Sequence, residues 1–225
     1  MKDKCLLLVI SYFILACTPV YGDAPVPDFD RIVSQIFWSE LYPFGGWTLY
    51  CGYRFEHDRK IKGAKSVTIE HIYPTSEMIK QLHCGSRMQC LDSGNKLYAR
   101  MEADMHNMYP VWSDLVTYRN GSRFGNIDGE HWRFEDCDIE WQGGVLEPRP
   151  VARGNIARAM MYMHERYGLK LEPEMLKLMV QWSSEDPPSN QEVERNRQIE
   201  AMQGNRNPFI DDPAWADRLL RGTDR

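Results

Sequence analysis

Apolar residues at Ile32, Ile36, Phe37 and Leu41 recur with helical spacing and predict a first helix from Phe29 to Leu41. Trp47-Thr48-Leu49-Tyr50-Cys51 is aromatic and β-branched, the composition of a strand. The β-like run Ser66 to Ile69 leads into Glu70-His71-Ile72-Tyr73-Pro74, where the proline stops it, so Glu70 and His71 are expected at the end of an extended segment. Leu97, Met101, Met105 and Met108 share one helical face. Pro110, tolerated at a first helical position, is expected to open a second helix to Tyr118 that closes near Asn120-Gly121. Short strands are predicted at Trp132 to Glu135 and Asp138 to Trp141. Helices follow at Asn155 to Tyr167, Glu172 to Trp182 and Asn190 to Met202, the last so charged that it reads as a solvated surface element. There is no repeat and no Pro/Gly/Ser linker, so the pattern predicts one α+β domain, helix-rich with a few short strands.

One apolar run stands apart from this pattern. Leu6 to Cys17 follows Lys2 and Lys4 and precedes Gly22, too short and too weakly flanked to span a bilayer. It reads as a secretory signal over residues 1–22, leaving 23–225 as the folded domain. Ile14-Leu15-Ala16-Cys17 is an alternative lipoprotein box, which leucine beside alanine fits poorly. The expected protein is exported to the periplasm or the medium, has no membrane contact after cleavage, and works as a monomer.

Cleavage removes two lysines and one aspartate, leaving 25 basic and 31 acidic side chains and a net charge of −6. That excludes a globally cationic nucleic-acid binder but not a locally basic one. Arg59, Lys60, Lys62 and Lys65, with Arg119 and Arg123, are the candidates for a local patch, and a solvated loop is an equal reading of them. Six cysteines become four, an even number that reads as disulfides in an exported chain, with three pairings. Cys84 and Cys90 close a short loop and are the easiest bridge, leaving Cys51 with Cys137.

The chemistry concentrates in three places. Glu70 and His71 put an oxygen ligand suited to a hard divalent cation beside a base that titrates near neutrality, although adjacent Glu and His also occur by chance. Glu102 and His106 stand at i and i+4 next to the methionine stripe, where His106 by itself reads as a packing histidine. Arg87 lies inside the Cys84 to Cys90 loop, where a held guanidinium can grip a phosphate through two parallel hydrogen bonds; its other reading is a surface arginine.

Five blocks in order carry a resemblance. They are Glu70-His71 with Pro74, then Cys84-Gly85-Ser86-Arg87, then Arg100 to Pro110, then Glu147-Pro148 with Arg153 to Met160, and Gly204 to Asp211. Together they resemble the bacterial endonuclease I family of periplasmic and secreted nucleases. The resemblance implies a ββα-metal nuclease core with one Mg²⁺, acting on DNA and RNA with little regard for sequence. It implies His71 as general base, Glu70 as metal ligand, Arg87 as phosphate-binding arginine and Glu102 as the acidic residue of the site. The family pattern also places a metal-binding asparagine nine residues beyond the position of Asn107, and here that position is Val116. Asn120, one turn along the expected helix, is the best substitute ligand, with Ser113 second. The loss opens a rival reading, a catalytically weak or silent relative that binds nucleic acid or a partner.

Overall fold

The structure is a computed structural model that describes residues 26–62, 65–120 and 122–223. The predicted secretory signal lies outside the described residues. Helix α1 (Phe29–Arg31) is capped by the Asp28 carboxylate, which accepts from Arg31 N at 3.1 Å, and widens into a π-helical stretch, Ile32–Leu41, whose last turn bonds Tyr42 N to Phe37 O. Five antiparallel strands follow in sheet order: β1 (Gly46–Trp47), β2 (Arg54–Phe55), β3 (Lys60–Ile61), β4 (Lys65–His71) and β5 (Met108–Trp112). Between β4 and β5 the chain makes α2 (Thr75–Leu82), α3 (Arg87–Asp92), α4 (Lys96–Glu102) and a 3₁₀ turn, Met105–Asn107. Helix α5 (Leu115–Arg119) packs back on β5, so β4, β5 and α5 form a ββα unit.

The second sheet has the order β6 (Arg123–Phe124), β8 (Val145–Pro148) and β7 (Ile139–Gln142). The helices α6 (Pro150–Tyr167), α7 (Pro173–Glu185), α8 (Asn190–Gln203), α9 (Pro208–Asp211) and α10 (Ala214–Thr223) complete an α+β, helix-rich fold. Helix α6 runs through the core with Ile156, Ala157, Ala159, Met161 and Met163 fully buried. Disulfides join Cys51 to Cys137 and Cys84 to Cys90, the favoured pairing. No helix among the described residues is long and apolar enough to cross a membrane.

Several expectations are corrected. The strand expected over Trp47 to Cys51 ends at Trp47, because Thr48 turns the chain: its hydroxyl and amide both pair with the main chain of Tyr53. Pro110 opens no helix; it sits in β5 opposite Ile69, and β5 is the outer strand of its sheet, where a missing N–H is tolerated. The methionine face is split by a turn at Ala103-Asp104, where the Asp104 side chain caps the 3₁₀ turn by accepting from His106 N at 3.0 Å. Glu102 and His106 therefore do not share a helix. Trp132 to Glu135 forms no strand; it makes the isolated Phe134–Cys137 bridge and a main-chain bond from Arg133 N to Ile139 O at 2.8 Å. Helix α8 is no purely solvated element, since it buries Glu192, Asn196 and Ile199. There Glu192 meets Arg158 of α6 in a fully buried ion pair, and Asn196 bonds Asn207, which fastens the Gly204 to Asp211 segment to the body.

Candidate active site

Strand β4 delivers Glu70 and His71 at its end, in register with Tyr109 and Met108 of β5. The turn that follows is pinned from two sides. The Asn107 side chain accepts from Tyr73 N at 2.7 Å and donates to Tyr73 O at 3.0 Å, while Arg119 Nη2 donates to Ile72 O at 2.8 Å. Glu70 and His71 are thus held by main-chain geometry that depends on side chains far along the sequence. Both line one cleft of about 460 Å³, together with Val116, Arg119, Asn120 and Arg123.

Within this cleft Glu70 is partly buried, and loss of water pushes its carboxyl up to about 7 against the opposing pull of the Arg119 cation. Arg119 is itself buried, with Nη1 on Ser122 O, Nη2 on Ile72 O and its guanidinium 4.2 Å above the Phe124 ring; its Nε has no hydrogen-bond partner. Tyr50 lies beneath, fully buried, its phenol raised mainly by burial and next by the Glu70 charge.

His71 donates Nε2–H to the main-chain oxygen of Glu102 at 2.7 Å. A carbonyl can only accept, so the proton is on Nε2 and the Nδ1 lone pair is the basic position. Burial holds the imidazole below its ordinary range and keeps it neutral. The Glu102 carboxylate is buried and fully engaged: Arg87 Nε and Nη2 donate to its two oxygens at 2.5 and 3.2 Å, and Tyr98 OH donates to one at 3.0 Å. Arg87 is the first residue of α3, capped by Ser86, and remains 42% exposed, with Nη1 outside the ion pair. Arg87 and Glu102 line a second hollow, not the cleft that holds Glu70.

The remaining candidates fall at different distances. Arg123 is exposed at the cleft, and Asn120 leaves the end of α5 in extended conformation, with ψ 117°, at the cleft wall. Arg59, Lys60, Lys62 and Lys65 lie at the far end of β4, about 20 Å along the strand from His71. There Lys65 is held by Asp136 at 3.2 Å over the rings of Tyr53 and Trp112, and Lys60 donates to Ser66 Oγ. Arg59 stands over the Trp38 ring at 5.5 Å, and Lys62 is exposed. His106 is buried on Tyr162 and donates Nε2–H to Asn205 O. Sequence reasoning did not assign Asn107 and Tyr98 a role in holding the site, and it placed Arg119 among surface cations. A polar side chain in an otherwise buried run, as Asn107 is between Met105 and Met108, is the signal that carries such clamps.

No cluster of three or more His, Cys, Asp or Glu side chains among the described residues could hold a metal. The cleft is lined by two carboxylates, Glu70 and Glu77, and by Asn120; Glu77 is paired with Lys80 at 3.5 Å, which leaves Glu70 and the Asn120 amide as a set that suits Mg²⁺, which keeps several waters and takes few protein ligands. The raised Glu70 carboxyl marks the same place as short of positive charge.

The model of the family described as Endonuclease I matches residues 39–214. An extracellular deoxyribonuclease of Aeromonas hydrophila is 36% identical over 91% of this chain and 96% of its own length, and a periplasmic deoxyribonuclease of the same organism is 36% identical over 91% and 94%. An extracellular ribonuclease of Bacillus amyloliquefaciens is 33% identical over 52% of this chain and 46% of its own length. With the Glu70-His71 strand end, the Arg87–Glu102 pair and a family match over most of its length, the chain belongs to the endonuclease I family.

Proposed function

We propose that this protein is an exported endonuclease that hydrolyses phosphodiester bonds of DNA and RNA with little sequence specificity, leaving 5′-phosphate and 3′-hydroxyl ends. Relatives named as extracellular or periplasmic deoxyribonucleases and an extracellular ribonuclease support export and both substrates. The observation that carries the reading is the hydrogen bond from His71 Nε2 to Glu102 O, which leaves the other ring nitrogen as the basic position of a residue that lines the Glu70 cleft.

His71 Nδ1 takes a proton from the attacking water, a step suited to an imidazole that is neutral at working pH. The Glu102 carbonyl keeps Nε2–H satisfied as the ring becomes charged. Arg87, its plane set by the Glu102 carboxylate, lines the second hollow and not the Glu70 cleft, so its remaining Nη1 edge would take an oxygen of the phosphate next to the one being cleaved. Glu70 and Asn120 would hold Mg²⁺, which supplies positive charge to phosphate and leaving-group oxygens when bound. Arg119 stays on main-chain carbonyls and keeps the Glu70 turn in place. None of these groups reads a base edge, so broad substrate tolerance follows.

The test is nicking of supercoiled plasmid by the oxidised protein in millimolar Mg²⁺. Cleavage that EDTA stops and His71→Ala abolishes is the expected result. Intact plasmid, or equal cleavage by wild type and His71→Ala, would overturn the reading. A second reading, a weak or silent nuclease fold that binds nucleic acid, is favoured by one observation: the Val116 isopropyl group lines the cleft beside Glu70. Retention of DNA in a binding assay without nicking is its signature.

A further inference from the structure

The first helix begins against the far side of the site. Its cap, the Asp28 carboxylate on Arg31 N, fixes where Phe29 leaves the main chain. The Phe29 ring centroid stands 5.5 Å from that of His71, with the planes inclined at 35°, and the Arg87 guanidinium carbon lies 5.6 Å from the same ring. One aromatic ring therefore touches the base and the phosphate-gripping cation together. The same two groups are already joined through Glu102, by its carbonyl to His71 and its carboxylate to Arg87. His71, Glu102, Arg87 and Phe29 close a circuit of contacts in which each touches its two neighbours.

The circuit has a mechanical consequence. A single hydrogen bond at Nε2 fixes one point of the imidazole and leaves the ring free to tilt about it. A ring against its side removes that freedom. Arg87 is in the same position: the carboxylate sets the plane of the guanidinium, and the aromatic contact decides which way the side chain lies. Phe29 is not part of the cleft wall; it lines the second hollow beside Arg87 and Glu102. Any effect it has on the reaction passes through the groups it touches.

We propose that Phe29 is a positioning residue that holds the His71 imidazole and the Arg87 guanidinium in fixed relation for phosphodiester cleavage. The proposal rests on the nuclease reading for its rate effect but not for its effect on the imidazole. Phe29 also packs against the cluster formed by Phe37, Leu41, Met105, Met108 and Ile199, so the variants must separate positioning from packing. Phe29→Leu keeps apolar bulk and removes the flat face, whereas Phe29→Tyr keeps the face.

Phe29→Leu is expected to lower kcat on plasmid DNA about tenfold with KM changed less than about twofold, and Phe29→Tyr to stay near wild type. Long-range ¹H–¹⁵N spectra are expected to show His71 with its proton on Nε2 alone in wild type and Phe29→Tyr, and a mixture of tautomers in Phe29→Leu. A Phe29→Leu protein with wild-type kcat and a single tautomer overturns the proposal. So does a rate loss that only follows a fall in melting temperature while the tautomer stays fixed. A wild-type protein that fails to nick DNA, with the tautomer still responding to Phe29→Leu, removes the nuclease reading and leaves the positioning role standing.

Discussion

Glu70 shows how a single carboxylate can work against the fold that holds it. Its folded-state pKa of about 7 lies above the ordinary carboxylate value, because burial costs the charged form more than Arg119 returns. A group raised in this way favours the folded state fully below its unfolded pKa and loses that contribution as pH climbs to about 7. Above neutrality and without divalent ions, the buried charge costs on the order of 2 kcal/mol once partial exposure is discounted. Glu70→Gln is therefore expected to melt several degrees above wild type at about pH 8 in EDTA, and level with it at about pH 4. Adding Mg²⁺ at the higher pH should raise the melting temperature of wild type and not of the variant. A variant less stable than wild type at both pH values would show that the carboxylate is a net structural asset.

At the scale of elements, the end of α5 decides whether the cleft can replace the asparagine it lacks. A helix continuing past Val116 would carry Asn120 one turn, about 5.4 Å, beyond that position. The helix instead stops at Arg119, and Asn120 leaves in extended conformation with its amide N still bonded to Val116 O at 2.9 Å. Its φ of −60° is helical, so the Asn120 side chain keeps the helical position one turn beyond Val116 and only the chain after it turns away. Val116→Asn is expected to tighten Mg²⁺ binding about tenfold by calorimetry and to speed nicking in parallel, the order of effect that a ligand or its support has. Unchanged binding would assign the position to Asn120, and Asn120→Ala would then weaken it.

The same elements show what the sequence could and could not disclose. β4 was legible because a β pattern ended in a proline directly after the residues of interest. β5 was not, since all five of its residues are buried and its proline resembled a helix start; only the knowledge that β5 is an outer strand permits Pro110 there. The Glu70-His71 pair and the Arg87 loop could be named from local pattern. The pairing of Arg87 with Glu102 could not, being a contact between α3 and α4, nor could the burial of Arg119, which depends on Phe124 and the turn at Ile72.

For the whole molecule, the two disulfides divide the work of stability and of site geometry. Cys51–Cys137 links the turn after β1 to the segment before β7 across 86 residues, and loop-closure arguments give such a bridge about 4.5 kcal/mol. Cys84–Cys90 spans six residues and stabilises by about 2 kcal/mol, but it closes the segment from which α3 starts, and the first residue of α3 is Arg87. Against a net stability of about 5–15 kcal/mol for a domain, the long bridge is the larger share, whereas the short one bears on the guanidinium and its partner Glu102. Removing Cys51 and Cys137 by paired serine substitution should lower the urea midpoint strongly while the surviving folded fraction keeps its rate. Removing Cys84 and Cys90 should shift the midpoint less and lower kcat more, because α3 can fray from its first turn and carry Arg87 off Glu102. Reductant should then silence the wild-type enzyme through both routes at once, keeping the chain inactive in a reducing compartment and active after export. Equal specific activity with and without reductant, or the same ratio of rate loss to midpoint shift in both paired variants, would show that the bridges share one structural role and that Arg87 is held by Glu102 and Phe29 alone.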